Sequence, residues 1–149
     1  MAEPERYGFT LTRVFDAPRE HVWREWTEPE AFADWFGGAT SEVPLESVSM
    51  DVRAGGTWRL TMYAERGEIR WRGEYLEVVE PERLVFTVSD QPGVERYELV
   101  TVGLVDLGDG RTEMHFEQRG WLTPEQYEYT KRGWGGFFDR IDARLAEAP

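Results

Sequence analysis

From Thr123 to Leu145 the sequence keeps a helical period for about six turns, and nothing before it does so for as long. Tyr127, Trp134, Phe137, Phe138, Ile141 and Leu145 fall on one side, and Thr123-Pro124-Glu125 reads as a capped start. Most of the preceding chain alternates with a period of two. A single long amphipathic helix that follows a run of strands must bury its stripe against the apolar face of their sheet. The expected class is therefore α+β, with an antiparallel sheet packed on the C-terminal helix.

The strands can be placed by their alternation. Phe9, Leu11 and Phe15 mark the first, between Tyr7 and Phe15. Asp16 then stands where a cap would start a short helix at Ala17-Pro18, with Val22, Trp23 and Trp26 as its apolar side. Pro29 opens a second short helix carrying Phe32, Trp35 and Phe36, and Gly37-Gly38 ends it. Further strands are predicted around Val48, Met50 and Val52; Trp58, Leu60 and Met62; and Ile69, Trp71 and Tyr75. The last three are marked by Leu84, Phe86 and Val88; by Val100, Val102 and Leu104; and by Met114 and Phe116 after the turn Gly108-Asp109-Gly110. About six to seven strands result, in one domain over residues 1–149.

Composition narrows the partners. A net charge of -12 argues against nucleic acid, because a phosphate backbone needs a basic patch. No stretch approaches the roughly 18 apolar residues of a membrane span, and the first residues hold no apolar signal-type run, so membrane insertion is not expected and a cytoplasmic protein is. The absence of cysteine excludes disulfides, thiolate nucleophiles and sulfur-ligated zinc. Seven tryptophans in 149 residues must each be buried, stacked or placed at a binding surface.

Five segments carry a family resemblance: RVFDAPREHVWREWTEPEAFADWF, DVRAGGTW, GEYLEVVEPERLVFT, GDGRTEMHF and RGWGGFFDRIDARL. In that order they resemble the START-like, or SRPBCC, superfamily, and more narrowly the homologues of the C-terminal domain of the activator of Hsp90 ATPase. The resemblance implies a helix-grip fold, in which a curved antiparallel sheet wraps the C-terminal helix and usually leaves a cavity between them. It also implies a choice of functions: hydrophobic or amphipathic ligand binding, a co-chaperone-like interaction module, or a cyclase- or hydrolase-like enzyme.

For the ligand-binding reading, strand and helix phase select Trp58, Leu60, Trp71, Tyr75, Phe86, Val102, Met114, Phe116, Trp134, Phe137 and Ile141 as the lining. Arg13, Thr112, Gln118 and Tyr127 are the polar groups that alternation or helix phase turns inward. Gly133, Gly135 and Gly136 raise a separate question, since each costs roughly 1 kcal/mol in a helix. If Gly133 and Gly136 face the sheet, they leave room for a ligand or let a large ring pack closely.

Catalytic chemistry finds little support in the residues. There is no nucleophile elbow, and the glycines of RAGG and GDG suit turns better than phosphate cradles. His21 reads as a surface residue, and His115 between Glu113 and Glu117 as part of a solvated sheet face. Asp51 and Arg53 suit a salt bridge, while Glu125 and Glu128 match the positive end of the last helix. No catalytic residue, cofactor or metal site is expected. The partners left open are a lipophilic small molecule, a chaperone or other protein, and a second copy pairing through an open sheet edge.

Overall fold

The computed structural model describes residues 7–90 and 97–147. Strand β1 (Tyr7–Phe15) leads into helices α1 (Arg19–Thr27) and α2 (Pro29–Trp35). After two single-turn helices come β2 (Ser49–Met50), β3 (Thr57–Ala64), β4 (Gly67–Val79), β5 (Arg83–Val88), β6 (Glu98–Asp106) and β7 (Thr112–Gly120). Helix α3 (Pro124–Glu147) completes the chain. The strands form one seven-stranded antiparallel sheet in the order β1-β7-β6-β5-β4-β3-β2. This is the α+β helix-grip fold, a curved sheet closed around α3.

Alternation decides which face grips. In β7, Thr112, Met114, Phe116 and Gln118 are buried, while His115 and Arg119 are exposed. Their neighbours across β6 are Val100, Val102 and Leu104, also buried. Along β4 the register shifts between Tyr75 and Glu77, a bulge that bends the strand and turns Leu76 outward. Against this concave face α3 lays Tyr127, Trp134, Phe138 and Ile141. Its first turn is closed by a reciprocal cap, in which Gln126 N–H donates to Thr123 Oγ1 and Thr123 N–H to Gln126 Oε1.

Two local expectations change. The residue that caps α1 is Pro18, without a side-chain hydrogen bond, so Asp16 is not the cap. The strand through Val48, Met50 and Val52 shrinks to Ser49–Met50, because the Asp51–Gly56 turn folds back on itself. Arg53 Nε lies 2.9 Å from Asp51 Oδ2, the expected salt bridge.

The glycines of α3 do not face the sheet. Gly133 and Gly136 are exposed, Gly135 is half-buried, and a Cβ added at any of the three would meet nothing. Cavity-forming and close-packing roles therefore both fall for Gly133 and Gly136. At Gly73 the opposite holds, since a Cβ there would overlap the Thr87 carbonyl oxygen and Trp58 Nε1. Its missing side chain lets the Trp58 indole cross β4 and donate to Thr87 O at 3.0 Å. Gly136→Ala is expected to stabilise the protein by about 0.5–1 kcal/mol and Gly73→Ala to destabilise it by about 1–3 kcal/mol. Thermal unfolding of the two variants checks the contrast; equal effects would contradict it.

Candidate functional site

The space between the sheet and α3 is occupied chiefly by aromatic rings. At its centre stands Trp26, supplied by α1 and 1% exposed. Its ring meets Trp35 edge-on at 4.8 Å, stacks with Trp134 at 6.0 Å and Phe116 at 6.2 Å, and lies 6.1 Å from both Phe86 and Phe138. Phe32, Trp35 and Phe36 of the α2 segment extend the cluster to Trp58. A void of about 10 Å³ remains, lined by Trp26, Phe32, Met50, Trp58, Tyr75, Leu84 and Phe86.

Of the lining expected from phase, Trp58, Tyr75 and Phe86 meet at this void. Leu60, Val102, Met114, Phe116, Trp134 and Ile141 are buried in the surrounding core. Trp71 and Phe137 are half-buried and pack on Phe36, at ring distances of 6.1 and 5.5 Å. Trp26, Phe32, Met50 and Leu84 complete the lining and were absent from the sequence-based set. Their apolar character is legible, but the position of α1 and α2 over the sheet is not.

The four inward polar groups are placed away from the void. Arg13 Nη1 donates to Asp139 Oδ1 at 2.8 Å and lies 3.7 Å from Asp142 Oδ2, so carboxylates of α3 already answer its charge. Its guanidinium also sits 5.9 Å from the centre of the Phe138 ring. Thr112 Oγ1 donates to the carbonyl of Ala17 at 2.7 Å, tying β7 to the entry of α1. Gln118 and Tyr127 join a chain centred on Glu98. Trp134 Nε1 donates to Gln118 Oε1 at 2.7 Å, Gln118 Nε2 to Glu98 Oε1 at 3.0 Å, and Tyr127 Oη to the same oxygen at 2.6 Å. Burial, then the hydrogen bond and charge of Glu98, push the Tyr127 hydroxyl up and keep it a donor. Glu98 gave no sequence signal, because its role depends on β6 and α3 meeting at one end.

Among the described residues that line the void, Tyr75 is the one titratable group. Burial pushes its hydroxyl well above the usual value and the charge of Asp51 adds to this, so it stays protonated near neutral pH. An acid–base pair is not formed there. Among the described residues no cluster of His, Asp and Glu is arranged to hold a metal ion. His115 Nε2 is 2.7 Å from Glu113 Oε1 on the outer face. Among the described residues no helix is long and apolar enough to cross a membrane.

A second concavity, of about 270 Å³, lies on the outside between α2 and α3, lined by Ala33, Asp34, Gly38, Ser41, Glu42, Val43 and Arg140. It adjoins an ion-pair network. Arg144 Nε is 2.6 Å from Glu25 Oε1, its Nη1 pairs with Asp34, and Arg140 Nη2 donates to Asp34 Oδ1 at 3.0 Å. Burial alone would raise the Asp34 carboxyl, but the hydrogen bonds of Arg144 and Arg140 together outweigh it and hold it below the usual value.

Solved structures share this architecture. Protein CV1439 of Chromobacterium violaceum is 26% identical, with a TM-score of 0.83 over 95% of this chain and 98% of that one. Protein NE0264 of Nitrosomonas europaea is 25% identical, with a TM-score of 0.79 over 94% of each chain. The AHSA1 protein SPO3351 of Silicibacter pomeroyi, 20% identical, shares the fold with a TM-score of 0.81 over 94% of this chain and 98% of that one. No curated protein matches the chain. The family described as Activator of Hsp90 ATPase homolog 1-like protein matches residues 16–146. Its span takes in both helices over the sheet, the aromatic interior and almost all of α3, and the chain belongs to this family.

Proposed function

We propose that the protein binds a hydrophobic or amphipathic small molecule in the interior, at the void between Trp26, Trp58 and Tyr75. The observation that carries this reading is the siting of the void. It lies next to Met50, and β2 is only two residues long at the edge of the sheet. Two register pairs, Ser49 with Arg59 and Met50 with Trp58, hold β2 itself, and hydrogen bonds from Asp51 to Thr57 and between Ser47 and Thr61 tie its flanks to β3. A segment with so few ladder bonds opens at lower cost than the rest of the sheet, and a flexible methionine can repack around a guest. Family membership supports a ligand-binding or co-chaperone-like module in general.

Native mass spectrometry of gently purified protein tests the proposal. A small molecule lost on denaturation is the expected result. A bare chain that also fails to take up an added apolar aromatic would count against it.

A co-chaperone-like reading draws on the outer groove instead, where Asp34, Glu42 and Arg140 present charge beside α3. In that case adding the protein would change the ATPase rate of a chaperone partner. No change at saturating protein would remove this reading.

A further inference from the structure

The indoles of Trp23, Trp35, Trp58 and Trp134 all donate a hydrogen bond within the protein, to Glu80, the Glu25 carbonyl, the Thr87 carbonyl and Gln118. Trp26 is different. Its Nε1 is buried without a partner among the described residues, although its ring is 1% exposed and lines the void. Leaving such a donor unpaired costs about 1–3 kcal/mol, and buried tryptophans normally find an acceptor. Trp71 Nε1 is also unpaired, but its ring is not part of the void's lining.

The void beside Trp26 has room for about one water-sized group. Tyr75, 2% exposed, belongs to the same lining. Among the described residues no arginine, lysine or histidine lines it, and the guanidinium of Arg13 is already paired with Asp139. A carboxylate entering here would lose its hydration and gain no cation, at a cost that neutral donors do not offset. A neutral oxygen acceptor would lose far less and would satisfy the orphaned indole.

From this we infer that the interior site selects a neutral carbonyl compound with an apolar ring body, whose oxygen accepts a hydrogen bond from Trp26 Nε1. The inference rests on the ligand-binding reading and gives it a chemical class. In the ligand-free protein the same position suits a buried water. The body of the ligand enters where Met50 and β2 give way, and the carbonyl oxygen takes the water's place. The acidic group that a freely available inward arginine would have favoured is disfavoured instead.

A matched series tests it, with naphthalene, acetonaphthone and naphthoate titrated against the full chain. The three share a ring body and differ in having no acceptor, a neutral acceptor and a charged one. Acetonaphthone is expected to bind roughly 3- to 10-fold more tightly than naphthalene, the range of one neutral hydrogen bond, with naphthoate weakest. Trp26→Phe should bring the ketone-to-hydrocarbon ratio to about one, whatever the smaller ring does to the affinity for naphthalene itself. If Trp26→Phe does not fold, the wild-type protein still decides. In nitrogen-labelled protein the Trp26 indole proton, assigned through its contacts with Phe86 and Trp134, should move downfield with acetonaphthone and not with naphthalene.

Equal binding of ketone and hydrocarbon, or tightest binding by naphthoate, would overturn the inference and leave apolar binding intact. Binding by none of the three would overturn the ligand-binding reading itself, and this inference with it.

Discussion

Trp26→Ala is expected to lower stability by about 3–5 kcal/mol, the range for truncating a fully buried large aromatic. The ring is the meeting point of both short helices, the sheet and α3, with Trp35, Phe86, Phe116, Trp134 and Phe138 around it. Removing it deprives five rings of a neighbour at once, and neighbours held by β-ladders and helices can collapse only in part. For a chain of this length the loss corresponds to a fall in Tm of roughly 6–20 °C. Urea denaturation monitored by circular dichroism provides the value. The enlarged cavity should also take up naphthalene with some recovery of Tm, as dry apolar cavities do. A loss under about 1 kcal/mol would mean that the interior repacks freely and that Trp26 is not its hub.

The second large effect is expected at Arg144. Its guanidinium joins Glu25 of α1 and Asp34 of α2 to α3, and Glu25 is only 8% exposed. Arg144→Met keeps most of the stem and deletes the charge, which leaves the Glu25 carboxylate buried without its cation. Removing one partner of a buried pair is costly while the other stays charged, and a loss of about 2–4 kcal/mol is expected at pH 7. The pH dependence has a definite sign. The folded Asp34 carboxyl is held below its unfolded value, so its contribution is complete above that value, near pH 4. It is lost as pH falls through the lower folded value. Wild type should therefore lose more stability than Arg144→Met on going from pH 7 to about pH 3, and the gap between them should narrow. A gap of the same size at both pH values would assign the effect to packing of the arginine stem.

The two predictions differ in how far they could be seen in the chain. Trp26 was legible as the apolar side of a short helix, whereas no sequence pattern singled out Arg144. Neither the five-ring contact of the first nor the carboxylates of the second lie within one helical turn of their partners. Glu98 is the clearest case. It stands at the start of an ordinary strand, yet accepts hydrogen bonds from Gln118 and Tyr127 on two other elements.

Order and class were determined by the sequence, because period and turn chemistry are local. The alternation of Leu84, Phe86 and Val88 or of Met114 and Phe116 decides which side of a strand is buried, whatever lies beyond it. The long helical stripe ending in Phe138, Ile141 and Leu145 required a sheet to cover it. The family resemblance followed from the same residues in order. What fills the grip was decided by tertiary structure alone. Apolar pattern did not reveal that α1 swings Trp26 into the centre and leaves its N–H without an acceptor. Those outcomes depend on how elements distant in sequence meet, where a shift of a few ångströms turns a cavity into a packed core.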